Sequence, residues 1–121
     1  MRSVIQVLDE QACAVDPDAA LTRGHAARRS GRVDQAEEAY RVALQAYMDI
    51  CDGAGEANAL SALGELALDR GDATEACTRL AAAVAVWESS GDMPALTTCL
   101  DALGNAQRRA GARPEARATF T

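Results

Sequence analysis

Two kinds of side chain in this sequence could do chemistry, one histidine and four cysteines. His25 is the only histidine, and its spacing to the serines and cysteines does not suggest the nucleophile–base pair of covalent catalysis. Cys13, Cys51, Cys77 and Cys99 form no C-x-x-C pair of a zinc site. The glycine-rich segments also lack the G-x-x-x-x-G-K-[ST] pattern of a nucleotide site. We therefore predict no catalytic residues, no metal, no cofactor and no enzymatic activity.

The cysteines are expected to be reduced and unpaired. The first residues, MRSVIQVLDEQ, contain an apolar patch too short for a secretory signal, and no apolar run is long enough to span a membrane. We therefore expect a cytoplasmic protein with no membrane partner, whose thiols act as small buried apolar groups.

All twelve basic residues are arginine, and two clusters of them could bind an anion. RRSGR (28–32) and QRRAGAR (107–113) fall where helices are expected to end. They complement the helix dipole there or, alternatively, form a pair of anion sites at one rim. No aromatic residues alternate with them, and the formal charge of −6 repels phosphate backbones. Direct binding to nucleic acid is therefore not expected.

These residues lie in a repeat of forty residues. LSALGELALDRGDATEA (60–76) returns as LDALGNAQRRAGARPEA (100–116), and ALTRGHAARRSGRVDQA (20–36) precedes both at the same spacing. Two glycine columns are followed by an alanine and then a large apolar residue. The aligned positions are Gly24, Gly64 and Gly104; Gly31, Gly71 and Gly111; Ala36, Ala76 and Ala116; and Tyr40, Leu80 and Phe120.

Each column has a physical meaning in a helical hairpin. The first glycine lies within a helix, where it costs about 1 kcal/mol relative to alanine, so we expect a neighbouring helix to approach closely there. The second glycine suits the left-handed residue that ends a helix. The alanine and the large residue are four apart, so they share the face of the second helix that packs on the first. Asp34 and Asp72 are placed to cap the second helix or complement its dipole.

The composition agrees with closely packed helices, because 28 residues are alanine and only three are proline. We predict an all-α fold, an α-solenoid of three helical hairpins with an additional N-terminal helix. The predicted helices span about residues 2–14, 17–30, 33–51, 56–70, 73–90, 94–110 and 113–121. The predicted domains are an N-terminal helix or cap at 1–15 and a repeat domain at 16–121, with repeats at 17–51, 56–90 and 94–121, the last incomplete.

The repeat resembles the tetratricopeptide repeat, whose pattern is W-x2-L-G-x2-Y, then A-x3-F, then proline, with a period of about 34. LSALGELA (60–67) and LDALGNAQ (100–107) carry the leucine–glycine pair, and AEEAY, ACTRL and ARATF give the A-x3-large step. Arg23 replaces the leucine of the first copy, while Met48 and Glu88 replace the proline. With its forty-residue period the repeat is similar to the longer-helix variant of large actinobacterial regulators.

The resemblance implies a protein-interaction module, a scaffold or sensor segment of a bacterial regulatory system. Its partner, a protein or peptide, would bind the concave face lined by the first helix of each hairpin. Two alternatives stay open: a self-associating accessory subunit of a biosynthetic enzyme complex, and a regulator that binds a small molecule. By position, the concave lining would be Asp18, Leu21, Thr22, His25, Arg28, Asn58, Ser61, Glu65, Leu68, Thr98, Asp101, Asn105 and Arg108. The chain has no lysine, so a clamp for a terminal carboxylate is not expected.

Two further expectations concern the ends of the hairpins. Tyr47 and Trp87 stand at equivalent places late in the second helices, where they fill the junction between hairpins or, alternatively, form exposed anchors for a partner. The third hairpin reaches only Phe120 and Thr121. Its open C-terminal edge is expected to be covered by further repeats or by a second copy in a homodimer.

Overall fold

The computed structural model describes residues 15–111, and over this range the chain forms five α-helices and no strand. The helices are α1 (Pro17–Arg29), α2 (Val33–Asp49), α3 (Gly53–Asp69), α4 (Ala73–Ser90) and α5 (Met93–Gly111). The all-α fold is therefore confirmed. The predicted helices at 2–14 and 113–121, and with them Cys13 and Phe120, lie outside the described residues.

The helices stack in chain order, each packed against the next. The pairs α1–α2 and α3–α4 are the first two hairpins. The first helices also approach each other across hairpins, α1 against α3 and α3 against α5, whereas no Cα atom of α2 lies within 8 Å of one in α4. Because α1, α3 and α5 lie close together while α2 and α4 lie further apart, the stack curves around the first helices. Its concave side is therefore formed by α1, α3 and α5.

Aspartate side chains cap the start of four helices. The capping residues are Asp16 for α1, Asp52 for α3, Asp72 for α4 and Asp92 for α5. The predicted cap at Asp72 is thus confirmed, with Glu75 N 3.0 Å from its Oδ1. At α2 the equivalent residue is Arg32, which makes no side-chain cap. The cap from Asp52 also explains why α3 begins at Gly53, earlier than the predicted start near residue 56.

Left-handed residues end four of the helices. Gly31, Gly71 and Gly91 have φ of 77°, 82° and 76°, as a glycine after a helix allows. Cys51 ends α2 in the same conformation, with φ of 58°. The prediction is therefore confirmed for Gly31 and Gly71. Gly111 differs, because α5 runs through it without a left-handed turn.

Gly24 and Gly64, within the first helices of the first two hairpins, are sites of close helix contact, as predicted. A Cβ atom placed on Gly64 would lie 2.7 Å from Leu80 Cγ, and one placed on Gly24 would overlap the ring of Tyr40. Gly104 has no described neighbour within 4 Å of that position. The first two hairpins therefore close around a glycine on one helix and a large side chain on the other.

Two aromatic side chains fill the junctions between hairpins. Tyr47 and Trp87 are both buried. The Tyr47 ring leaves no room for a side chain at Gly55 of the next hairpin, and Trp87 shares a core cluster with Cys99 and Ala106 of α5. The prediction that they fill the junctions is therefore confirmed, and the alternative of exposed anchors is wrong.

Candidate functional site

A cleft of about 540 Å³ opens on the concave side, between the first helices. All three first helices contribute to it, together with two residues of α4. Its lining is Leu21 and His25 of α1, Asn58, Ser61, Ala62 and Glu65 of α3, Leu80 and Trp87 of α4, and Pro94, Ala95, Thr98, Cys99 and Ala102 of α5.

The apolar floor of the cleft comes from the second layer of helices. Leu80 and Trp87 are buried residues of α4 that reach the cleft between the first helices. The sequence pattern places Leu80 on the face toward the first helix and Trp87 at the junction, and it predicts neither as concave lining. The place of Trp87 at a junction between hairpins could have predicted it as a cleft residue, because a junction also borders the concave surface.

The polar groups of the cleft differ in how many of their hydrogen bonds are already made. Thr98 Oγ1 donates to its own helix at Pro94 O, 3.0 Å away, and Ser61 Oγ lies 3.8 Å from Cys99 Sγ. Asn58 is exposed, and its amide bonds to no described residue. Its donor and acceptor atoms are therefore available to a ligand.

His25 is held by a buried tyrosine. Its Nδ1 lies 2.8 Å from Tyr40 Oη, and the two rings meet edge to face at an interplanar angle of 67°. Burial raises the pKa of the Tyr40 hydroxyl, although the nearby Arg28 charge opposes this. The hydroxyl therefore stays protonated, and the histidine ring is fixed in position at the edge of the cleft.

Arg28 joins the first two hairpins by ion pairs. Its Nε and Nη2 bond to the two carboxylate oxygens of Asp69, at 2.6 Å and 3.3 Å, and its Nη1 lies 3.0 Å from Glu65 Oε2. The hydrogen bond that Arg28 donates to Asp69 is the largest influence that raises the pKa of Arg28. The guanidinium group predicted to face a partner is therefore already engaged between α1 and α3.

The structure divides the thirteen predicted concave residues into three groups. Those that line the cleft are Leu21, His25, Asn58, Ser61, Glu65 and Thr98. Those engaged within the fold are Asp18, Thr22, Arg28 and Leu68. Those on α5 that do not line the cleft are Asp101, Asn105 and Arg108.

Asp18 and Thr22 illustrate the second group. The Asp18 carboxylate accepts the hydroxyl of Tyr47, and Thr22 Oγ1 donates to the main-chain oxygen of Asp18 at 2.9 Å. Burial, followed by this bond to Asp18, raises the pKa of Tyr47. Asp18 thus fixes a junction residue of the fold.

A second, smaller cleft of about 250 Å³ lies over α3 and is bordered by charged residues of α2 and α4. Arg70 at the end of α3 pairs with Asp34 and Glu37, while Arg41 and Arg79 pair with carboxylates one helical turn away. Because each of these guanidinium groups is already paired, the cleft offers no free cation to a ligand. The concave cleft is the better candidate.

The arrangement offers little for catalysis. Cys99 is buried, and burial raises the pKa of its thiol, so the reactive thiolate is disfavoured. Cys51, Cys77 and Cys99 are free, but Cys51 is exposed, so the expectation that every thiol is buried is wrong for it. Across residues 15–111 no cluster of three metal-binding side chains occurs, and no helix has the length and apolarity to cross a membrane.

Stacked hairpins with glycine contacts and a cleft across their first helices define a helical-repeat protein of the α-solenoid class. Residues 55–121 match the sequence profile of the family described as Tetratricopeptide repeat. Since this match covers more than half of the chain, the protein belongs to the tetratricopeptide repeat family. Domains of this family are generally non-catalytic modules for protein–protein interaction. No curated protein and no solved structure matches the chain significantly.

Proposed function

We propose that the protein binds a segment of a partner protein on its concave face, in the cleft between α1, α3 and α5. One observation supports this above the others. The cleft combines apolar lining residues, among them Leu21 and Trp87, with the unbonded amide of Asn58 at its edge. An apolar surface with a few available polar groups is typical of binding sites in proteins.

Two neighbouring threonines on α5 allow a sharp test. Thr98 lines the cleft and Thr97 does not, yet both are exposed and both donate a hydrogen bond to their own helix. The wild type, Thr98→Phe and Thr97→Phe would each be immobilised in a lysate of the source organism, and captured proteins compared by mass spectrometry. We expect a partner that binds the wild type and Thr97→Phe but not Thr98→Phe. Equal capture by all three would reject the concave site.

We further propose that the module is a cytoplasmic scaffold or sensor segment of a bacterial regulatory system. The forty-residue period supports this, because it is similar to that of actinobacterial regulators. The genes and domains that adjoin the coding region test the proposal. An ATPase or DNA-binding domain in the same protein would support it. A free-standing gene beside biosynthetic enzymes would favour an accessory subunit instead.

Self-association is a second candidate, and the exposed apolar side chains of α5 favour it. Met93 and Leu100 are 62% and 46% exposed, whereas Leu60, forty residues before Leu100, is buried against α4. A second copy packed on this face would form a homodimer. Light scattering at several concentrations should then give a dimer mass that Leu100→Ser lowers to a monomer. A monomer at every concentration would exclude the dimer.

A further inference from the structure

The concave cleft has a carboxylate but no guanidinium group among its lining residues. Glu65 is that carboxylate. Arg28 gives Glu65 one hydrogen bond and Asp69 two, so one guanidinium serves two carboxylates. Glu65 Oε1 accepts no hydrogen bond from residues 15–111. A ligand in the cleft therefore meets an under-neutralised carboxylate and no available cation.

Arg29 is a second cation near the concave cleft. It lines a small adjoining cleft with His25, Arg28 and Asp69, and it does not line the concave cleft. Arg29 is exposed, so water and salt screen its charge. The chain as a whole carries a charge of −6, which also favours a basic partner.

We infer that the partner segment presents a lysine or arginine to Glu65 and places an aliphatic side chain on the apolar floor of the cleft, beside Trp87. The main chain of this segment forms the hydrogen bonds to the Asn58 amide, and a terminal carboxylate does not. This inference rests on the concave-face function proposed above and adds the chemistry of the partner.

The size and floor of the cleft suit a short segment. A volume of about 540 Å³ has room for a few side chains, and Leu21, Ala62 and Ala102 extend the apolar surface around Trp87. An aliphatic side chain gains free energy by leaving water for such a surface. The floor offers no charged group to a buried polar side chain, so it selects an apolar one.

Asn58 provides the contact to the main chain. Its amide has both a donor and an acceptor, which match the C=O and N–H of one residue in an extended chain. A terminal carboxylate has no donor to offer and would bring a second negative charge into the same cleft as Glu65. The cleft thus favours an internal, extended segment.

The test uses random twelve-residue peptides displayed on phage and selected on the full chain. Enriched sequences are then synthesised with acetylated and amidated ends, and their affinities are measured by fluorescence anisotropy. We expect them to carry a lysine or arginine and an aliphatic residue. Glu65→Gln should weaken binding about three- to fivefold, as for a partly exposed ion pair, and added salt should weaken it further. A free carboxylate terminus should not tighten binding.

Two variants support this measurement. Glu88→Gln removes the same charge from an exposed position on α4 that does not line the cleft, and it should bind as the wild type does. Asn58→Ala removes an amide that bonds to no described residue, so the fold should be unaffected, and affinity should fall about fivefold. Thermal melts check that each variant is folded.

The outcomes separate this inference from the proposed function. Peptides that do not bind Thr98→Phe would support the concave site. If these peptides are acidic, or bind Glu65→Gln as tightly as the wild type, the inference of a basic partner is wrong while the concave site stands. Peptides that bind Thr98→Phe as well as the wild type, or the absence of any enriched peptide, would overturn both.

Discussion

At the scale of single residues, α3 and α4 pack closely against each other at Gly64. A Cβ atom there would lie 2.7 Å from Leu80 Cγ and 3.4 Å from the main-chain oxygen of Ala76. Leu80 is fully buried. The helical cost of a glycine, about 1 kcal/mol, is offset by this approach of the two helices.

Gly64→Leu should therefore destabilise the protein by roughly 1–3 kcal/mol, because the added side chain overpacks the hairpin. A thermal melt measures the change. Gly53→Leu is the matched control, since Gly53 is exposed and a Cβ atom there would make only an ordinary contact with Val86, at 3.7 Å. If both variants melt at the wild-type temperature, the glycine has no role in packing.

Cys51 is a second residue under local constraint. It is exposed and adopts φ of 58°, a conformation that costs a residue with a Cβ atom about 1–2 kcal/mol. Forty residues later, Gly91 occupies the equivalent position with φ of 76°.

Cys51→Gly should raise the free energy of unfolding by about 0.5–1 kcal/mol, because glycine adopts the left-handed conformation without steric cost. Urea denaturation would measure the gain. Cys51→Ala keeps the Cβ atom and should give no gain. Equal stability of the glycine and alanine variants would show that the backbone at this position is not strained.

At the scale of helices, the first two hairpins differ in how their second helix begins. Asp72 caps α4, whereas Arg32 stands at the equivalent position before α2 and makes no cap. The first amide groups of α2 therefore lack the side-chain acceptor that α4 has.

Substitutions at these two cap positions should change the free energy of unfolding in opposite directions. Asp72→Ala should cost about 1 kcal/mol, and Arg32→Asp should gain about 0.5–1 kcal/mol by supplying the missing acceptor. Arg32→Ala separates the cap from the loss of positive charge. Chemical denaturation of the three variants measures these effects, and a gain for Arg32→Ala equal to that for Arg32→Asp would contradict the cap.

At the scale of the whole molecule, burial of titratable groups makes the fold sensitive to alkaline pH. Burial raises the pKa of the hydroxyls of Tyr40 and Tyr47 above the ordinary value of 10.0. The unfolded chain therefore loses these protons at a lower pH than the folded chain. The stability they contribute is complete below pH 10 and declines as the pH rises further.

Urea denaturation between pH 8 and pH 11 should show this loss. Above pH 10, the free energy of unfolding should fall by up to about 1.4 kcal/mol per pH unit for each tyrosine. Tyr47→Phe removes one titrating hydroxyl and should reduce the slope, although Tyr40 and the buried thiol of Cys99 still contribute. Parallel curves for the variant and the wild type would contradict a role for Tyr47.

The helical hairpins could be predicted from the sequence because they follow local rules that recur every forty residues. Gly64 within a helix predicts close contact, and Gly71 predicts a helix end, from neighbours in the chain alone. The start of α3 is harder to predict from the sequence, because the glycines at positions 53 and 55 indicate a loop between hairpins. The Asp52 cap and the packing of Tyr47 on Gly55 instead make these residues helical.

The composition of the concave site was decided only by the tertiary structure. The repeat placed thirteen residues on the first helices, but it carried no information on which side chains would pair across hairpins. Arg28 is engaged because Asp69, 41 residues away, is within reach of its guanidinium group. Leu80 and Trp87 reach the cleft from α4 because the first helices leave a gap there. Such contacts depend on the stacking of whole hairpins, which the repeat of a single hairpin does not specify.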